Sequence, residues 1–204
     1  VGAAVVVLAL ALGGSVAGTP YYRLFGVRSA TDPAQRTLEK ILVVGISDDR
    51  EVRHRFEDKL VTQLRVRGVA ALTSYSFVSD LTALPARGQI LEVVEREGVD
   101  GLMTVRAVGL DATGEEAWAA AWETWLGADD TPRQLIERSV PVVGKPSKKY
   151  GIEFALWDVR GPRRLWAGRS SVHTRKELRS GVADLLGLVM DSLKEANLLN
   201  KNSQ

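Results

Sequence analysis

Apolar residues fall into two kinds of run along this chain. Short continuous blocks rich in β-branched residues, "KILVVGIS" at 40–47 and "GLMTVRAVG" at 101–109, have the pattern of buried strands. Other stretches repeat with a period near 3.6. Val52, Phe56, Leu60, Val61 and Leu64 form one such stripe, and Ile90, Leu91 and Val94 a second. The widest joins Leu178, Val182, Leu185, Leu186, Val189, Met190 and Leu193, and each stripe predicts a helix with one apolar side. Punctuation supports these assignments. Asp48 with Glu51 makes a capping box at the first helix, Gly68 stands where a C′ glycine belongs, and Gly98 ends the second helix. Thr174 with Glu177 makes another capping box before the last helix.

Between the first two helices "GVAALTSY", 68–75, reads as a second strand. Two successive strand–helix units joined by loops this short predict parallel pairing through right-handed crossovers. The pattern then changes to strict alternation. In "KYGIEFALWDV", 149–159, Tyr150, Ile152, Phe154 and Leu156 share one face, and Glu153, Ala155 and Trp157 the other. Arg160-Gly161-Pro162 turns this strand into "RRLWAGRSSVHT", 163–174, which predicts an antiparallel hairpin.

The expected fold is therefore α/β (α+β), in two or three layers. Its mixed sheet has about five strands, in the order β-α-β-α-β, an insertion, then β-β-α. The folded unit spans 40–198, about 160 residues, enough chain to bury a real core as one domain. Residues 110–148 are the insertion. Residues 18–39, with glycine, proline and scattered charge but no period, read as a tether, and 199–204 as a tail with nothing to bury.

Residues 1–17 are a signal-like or anchoring apolar segment. Val1 to Leu12 has about the length of a signal h-region, shorter than the roughly 20 residues that span a bilayer. With no basic residues before it, the run reads as a clipped or alternatively started export signal. Ser15 and Ala17 stand at −3 and −1 of a cut after Ala17. The same place would be a lipidation site if residue 15 were cysteine, but serine cannot take the thioether-linked lipid. Cleavage near Ala17 and retention as a short anchor are both expected outcomes.

Charge and composition narrow the function. Lysine plus arginine number 27 against 25 aspartates and glutamates, so no basic footprint for nucleic acid stands out. The absence of cysteine excludes disulfides, thiolate metal sites and cysteine nucleophiles. No glycine-rich phosphate loop follows a strand, and His54 and His173 stand far apart without metal-ligand spacing, so neither a cofactor nor a metal is expected. In parallel α/β sheets ligand sites form beyond the carboxyl ends of the strands. Here that edge offers Asp48, Asp49, Ser74 and Arg106. "ILVVGISDD" has the acidic start of a phosphoacceptor pocket, yet the third strand supplies no aspartate, and helix capping accounts for Asp48 and Asp49.

The insertion carries the other candidate. "EEAWAAAWETWLGADD", 115–130, holds three of the five tryptophans, and Trp118, Trp122 and Trp125 fall at helical spacing on one face. That face is either core or a docking surface for a partner or membrane, where tryptophan is enriched. Lys145-Pro146-Ser147-Lys148-Lys149 adds a small basic cluster that a solvated loop explains.

Two stretches, "ILVVGISDDREVRHRFEDKLVTQLRVRGVAALTSY" and "FALWDVRGPRRLWAGRSSV", resemble a group of small bacterial envelope lipoproteins, mostly of unassigned function. The layout is also similar to the periplasmic α/β domains of the curli-secretion lipoprotein, of lipoprotein activators of penicillin-binding proteins, and of the Tol-system propeller protein. The resemblance covers roughly 40–198 and departs at Ser15, where members usually carry the lipidated cysteine. It implies a periplasm-facing envelope protein that works by binding other proteins, and the lack of a catalytic constellation in the sequence argues against an enzyme. The competing reading is a small-molecule-binding or catalytic protein using the strand-end edge.

Overall fold

The computed structural model describes residues 22–29, 37–47, 49–79, 81, 84–110, 149–161, 163–174, 176 and 182–199. Within them the chain runs β1 (Phe25–Ser29), β2 (Lys40–Ile46), α1 (Arg50–Val66), β3 (Ala70–Thr73), α2 (Leu84–Arg96) and β4 (Gly101–Leu110). It closes with β5 (Lys149–Asp158), β6 (Arg163–Val172) and α3 (Val182–Glu195). A 3₁₀ turn, Ser74–Ser76, follows β3. The strands make one six-stranded sheet in the order β1-β6-β5-β4-β2-β3. β2 pairs parallel with β3 and β4, as the two short strand–helix units require. β4, β5 and β6 pair antiparallel, with Gly101 opposite Asp158 and Leu110 opposite Lys149.

The apolar alternation sorts the core into two layers. Ile41, Val43, Met103, Val105, Ile152, Phe154, Leu156 and Trp166 face the stripes of α1 (Phe56, Leu60, Leu64) and α3 (Leu186, Val189, Leu193). On the other side Leu42, Val44, Ile46, Leu102, Ala155 and Trp157 pack with Ile90, Val93 and Val94 of α2. The sheet is thus the middle of three layers, and its central strands read as unbroken apolar runs because both faces are covered.

Helix ends follow one rule. After α1 the Gly68 amide donates to Arg65 O and the Val69 amide to Leu64 O; after α2 the Gly98 and Val99 amides donate to Glu95 O and Val94 O. Gly68 and Gly98 adopt φ of +78° and +61°. α3 ends identically with Asn197 at φ +55° and Leu198 bonded to Leu193 O. Each is a Schellman closure whose next residue, Val69, Val99 or Leu198, is buried.

At the amino ends of the strands Asp100 is the clamp. Its buried carboxylate accepts the Glu39 amide at 3.0 Å and the Lys40 amide at 2.8 Å, and Arg160 Nη2 lies 3.5 Å away. Its carbonyl also accepts the Val159 amide, so β2, β4 and the β5–β6 turn are held at one point.

Four expectations change. The sheet has six strands and not five, because β1 lies inside the stretch read as a tether, where Tyr22 and Leu38 are also buried. Its five residues are mostly exposed and its register shifts between Phe25 and Arg28, where Gly26 has φ +55°, so no alternation marks it. The second strand is shorter than 68–75, since the chain turns into the 3₁₀ turn at Ser74. Asp49, not Asp48, is the N-cap of α1: its Oδ1 accepts the Glu51 and Val52 amides at 3.0 and 3.2 Å. Leu199, expected to begin a tail with nothing to bury, is instead a buried member of the core, since the turn after α3 folds it back with Leu198. Asp48, Glu177, the 1–17 segment, residues 200–204, and the 110–148 insertion beyond Leu110 lie outside the described residues.

Asp49→Ala removes the acceptor for both amides. It is expected to lower the free energy of unfolding by about 1 kcal/mol in urea titration, without changing the slope of the transition.

Candidate functional site

The carboxyl ends of β2 and β3 and the first turns of α1 bring charged side chains into the protein. α1 presents Arg53 and Glu57 at i, i+4 beside its apolar stripe, and both are buried, Glu57 completely. Arg53 Nε donates to Glu57 Oε1 at 2.9 Å. The same oxygen accepts the Gly45 amide from β2 at 2.9 Å and the Ser74 hydroxyl at 2.8 Å, while Oε2 accepts the Tyr75 amide at 3.0 Å. The rest of the guanidinium is also occupied. Nη2 donates to Ser74 Oγ at 2.9 Å and Val78 O at 2.7 Å, and Nη1 to Ser79 O at 3.1 Å. A buried ion pair is tolerated when its remaining donors and acceptors are met in this way.

Gly45 lets this pair approach the sheet. A Cβ there would stand 2.9 Å from Arg53 Cγ and 3.2 Å from Glu57 Oε1. The network ties α1, β2 and the 74–79 segment into one unit.

The strand-end residues of the sequence reading separate in the fold. Ser74 is buried inside the ion-pair network, accepting from Arg53 and donating to Glu57, and so offers no surface atom to a ligand. Asp49 caps α1. Arg106 lies on β4, where its guanidinium pairs with Glu153 directly opposite on β5, Nε to Oε2 at 2.6 Å. Arg169 of β6 stands opposite Glu153 on its other side, so one carboxylate lies between two arginines in adjacent strands. Trp118, Trp122 and Trp125 lie outside the described residues; the chain leaves the sheet for that segment at Leu110 and returns at Lys149, which are paired to each other.

Nearer the surface, His54 stacks on the Tyr75 ring with centroids 4.1 Å apart, and the Tyr75 hydroxyl donates to Asp58 Oδ1 at 2.5 Å. That hydrogen bond, then partial desolvation and the Asp58 charge, raise the phenol above the usual tyrosine range. Phe77 is partly exposed with Arg96 over its ring, 5.4 Å from the centroid.

Arg53 and Glu57 were not singled out by the sequence. A signal existed: an opposite-charge pair at i, i+4, immediately next to Val52 and Phe56, is turned inward by the same helical period that buries those residues. Among the described residues no group of three or more His, Asp or Glu is placed to hold a metal ion, and no helix is long and apolar enough to cross a membrane.

Glu57→Ala leaves a buried guanidinium without its carboxylate and is expected to cost about 3–5 kcal/mol in chemical denaturation. Ser74→Ala, which removes one donor and one acceptor, is expected to cost about 1–3 kcal/mol. In alkaline absorbance titration Tyr75 is expected to ionise above the usual tyrosine range and to move back toward it in Asp58→Asn. Because the folded state raises this pKa, the contribution is complete below the usual tyrosine value and is lost as pH rises through the raised one.

No protein-family model matches the chain, and no curated protein matches it. Among solved structures it is similar to the PelC dodecamer from Paraburkholderia phytofirmans, at 17% identity over 84% of this chain and 97% of that one, with a TM-score of 0.45. It is similar to lipoprotein GNA1162 from Neisseria meningitidis at 14% identity over 76% of this chain and 94% of that one, TM-score 0.38. TolB from Acinetobacter baumannii aligns at 14% identity with 90% of this chain but 33% of its own, TM-score 0.39. At these values no family is assigned.

Proposed function

We propose that this protein is a non-enzymatic adaptor or assembly factor of the bacterial envelope, held at or near a membrane, that acts by binding another protein. The observation that carries the reading is how the strand-end groups are used. Where a parallel α/β sheet would build a ligand site, Ser74 is consumed by the Arg53–Glu57 pair, Asp49 by the start of α1, and Arg106 by Glu153. Polar side chains committed to the fold in this way support a protein that works through its surface. The apolar 1–17 segment supports an exported or anchored chain. Trp118, Trp122 and Trp125 supply the docking residues, since a tryptophan face at helical spacing is the composition of an interface hot spot.

The test is paired replacement of Trp118 and Trp122 by Ala, followed by cross-linking and affinity capture from native membranes. Loss of a specific partner at an unchanged melting temperature is expected, because each buried anchor carries ~2 kcal/mol or more of binding. If the pair instead destabilises the fold by about 3–5 kcal/mol per tryptophan while the folded fraction still binds, those residues are core and the interface assignment fails.

A further inference from the structure

Among the described residues β3 is an end strand of the sheet, with β2 as its neighbour. Four residues, Ala70-Ala71-Leu72-Thr73, carry no charge and no proline, so nothing in its own sequence discourages another strand from pairing there. The Ala70 amide donates inward to Glu39 O at 3.0 Å, and backbone groups alternate in direction along a strand. The amides and carbonyls of Ala71 and Thr73 therefore point away from the sheet. One of these outward groups is occupied: Arg65, from the last turn of α1, donates Nε and Nη2 to Ala71 O at 3.1 and 2.7 Å.

We propose that Arg65 keeps the β3 edge closed to pairing with the β3 of a second copy of this chain. The edge is self-complementary. A twofold axis through Leu72 would set Ala71 of each copy opposite Thr73 of the other in hydrogen-bonded pairs and generate four backbone bonds. Two of those four use the Ala71 carbonyls that the two arginines hold, and the approach would bring both guanidinium groups to the same seam. Arg65 thus removes half the ladder and adds like-charge repulsion, where a lysine or proline in the strand would otherwise do this work. At the opposite edge the register shift at Gly26 interrupts β1 instead.

The experiment is sedimentation velocity of the whole chain over a wide concentration range, comparing wild type, Arg65→Ala, and Arg65→Ala with Thr73→Pro. Thr73 has φ −85°, close to the proline value, and its amide points outward, so proline blocks the new ladder without removing a bond to β2. Arg65→Ala is expected to tighten self-association by roughly tenfold or more relative to wild type, and Thr73→Pro to reverse it. The chain has no cysteine, so Leu72→Cys in the Arg65→Ala background reports the geometry: these positions oppose each other across the twofold axis and form an intermolecular disulfide. Unchanged self-association in a folded Arg65→Ala protein overturns the proposal, as does association that Thr73→Pro leaves intact. Should Arg65→Ala lose helix by circular dichroism, Arg65→Met, which keeps the side-chain stem, carries the same comparison.

Discussion

A strand buried on both faces has nowhere to put an unpaired polar group, and β2, the first half of β4 and most of β5 are buried in this way. With α1 and α3 on one side and α2 on the other, the buried apolar side chains of these strands divide between two layers. Whatever charge enters must arrive with its partners. Glu57 is the clearest case: fully buried, it receives Arg53, the Gly45 and Tyr75 amides and the Ser74 hydroxyl. The carboxylate is neutralised and saturated where α1 begins to cross the sheet, and the network fixes the angle at which that helix lies on β2.

The same constraint explains the edges. Asp100, just before β4, gathers the backbone amides left over at the amino end of β2, and the Glu57 network does so near the carboxyl ends of β2 and β3. Arg65 treats the outward Ala71 carbonyl of β3 in the same way. Three charged side chains thus finish hydrogen bonding that the ladders leave incomplete. Of the strand-end residues, Ser74 and Asp49 take part in closing the fold in this way, and Arg106 pairs with Glu153.

Much of the architecture was legible in the sequence because the signals were periodic and long. β5 shows it best: Tyr150, Ile152, Phe154 and Leu156 alternate with Ala155 and Trp157, and the two sets enter the two layers as the alternation requires. The helix ends were legible too, since Gly68-Val69 and Gly98-Val99 combine a left-handed position with an apolar residue that folds back onto the helix. β1 was not legible. A five-residue edge strand with a register shift and mostly exposed side chains has neither periodicity nor an apolar run, and it is a strand only because β6 offers an unpaired edge.

The candidate site divides along the same line. Local rules determined that a helix starts near Asp48 and Asp49 and that Arg53 and Glu57, four apart, share its face; they put Arg106 near a strand end, whereas β4 runs on to Leu110. They put the cap at Asp48, one residue too early, because adjacent aspartates satisfy the same rule. Only the tertiary structure decided that Ser74 joins the Arg53–Glu57 pair and that Arg106 meets Glu153, 47 positions away along the chain. Those contacts depend on strand order and register, which hydrophobic periodicity constrains to a face but not to a partner.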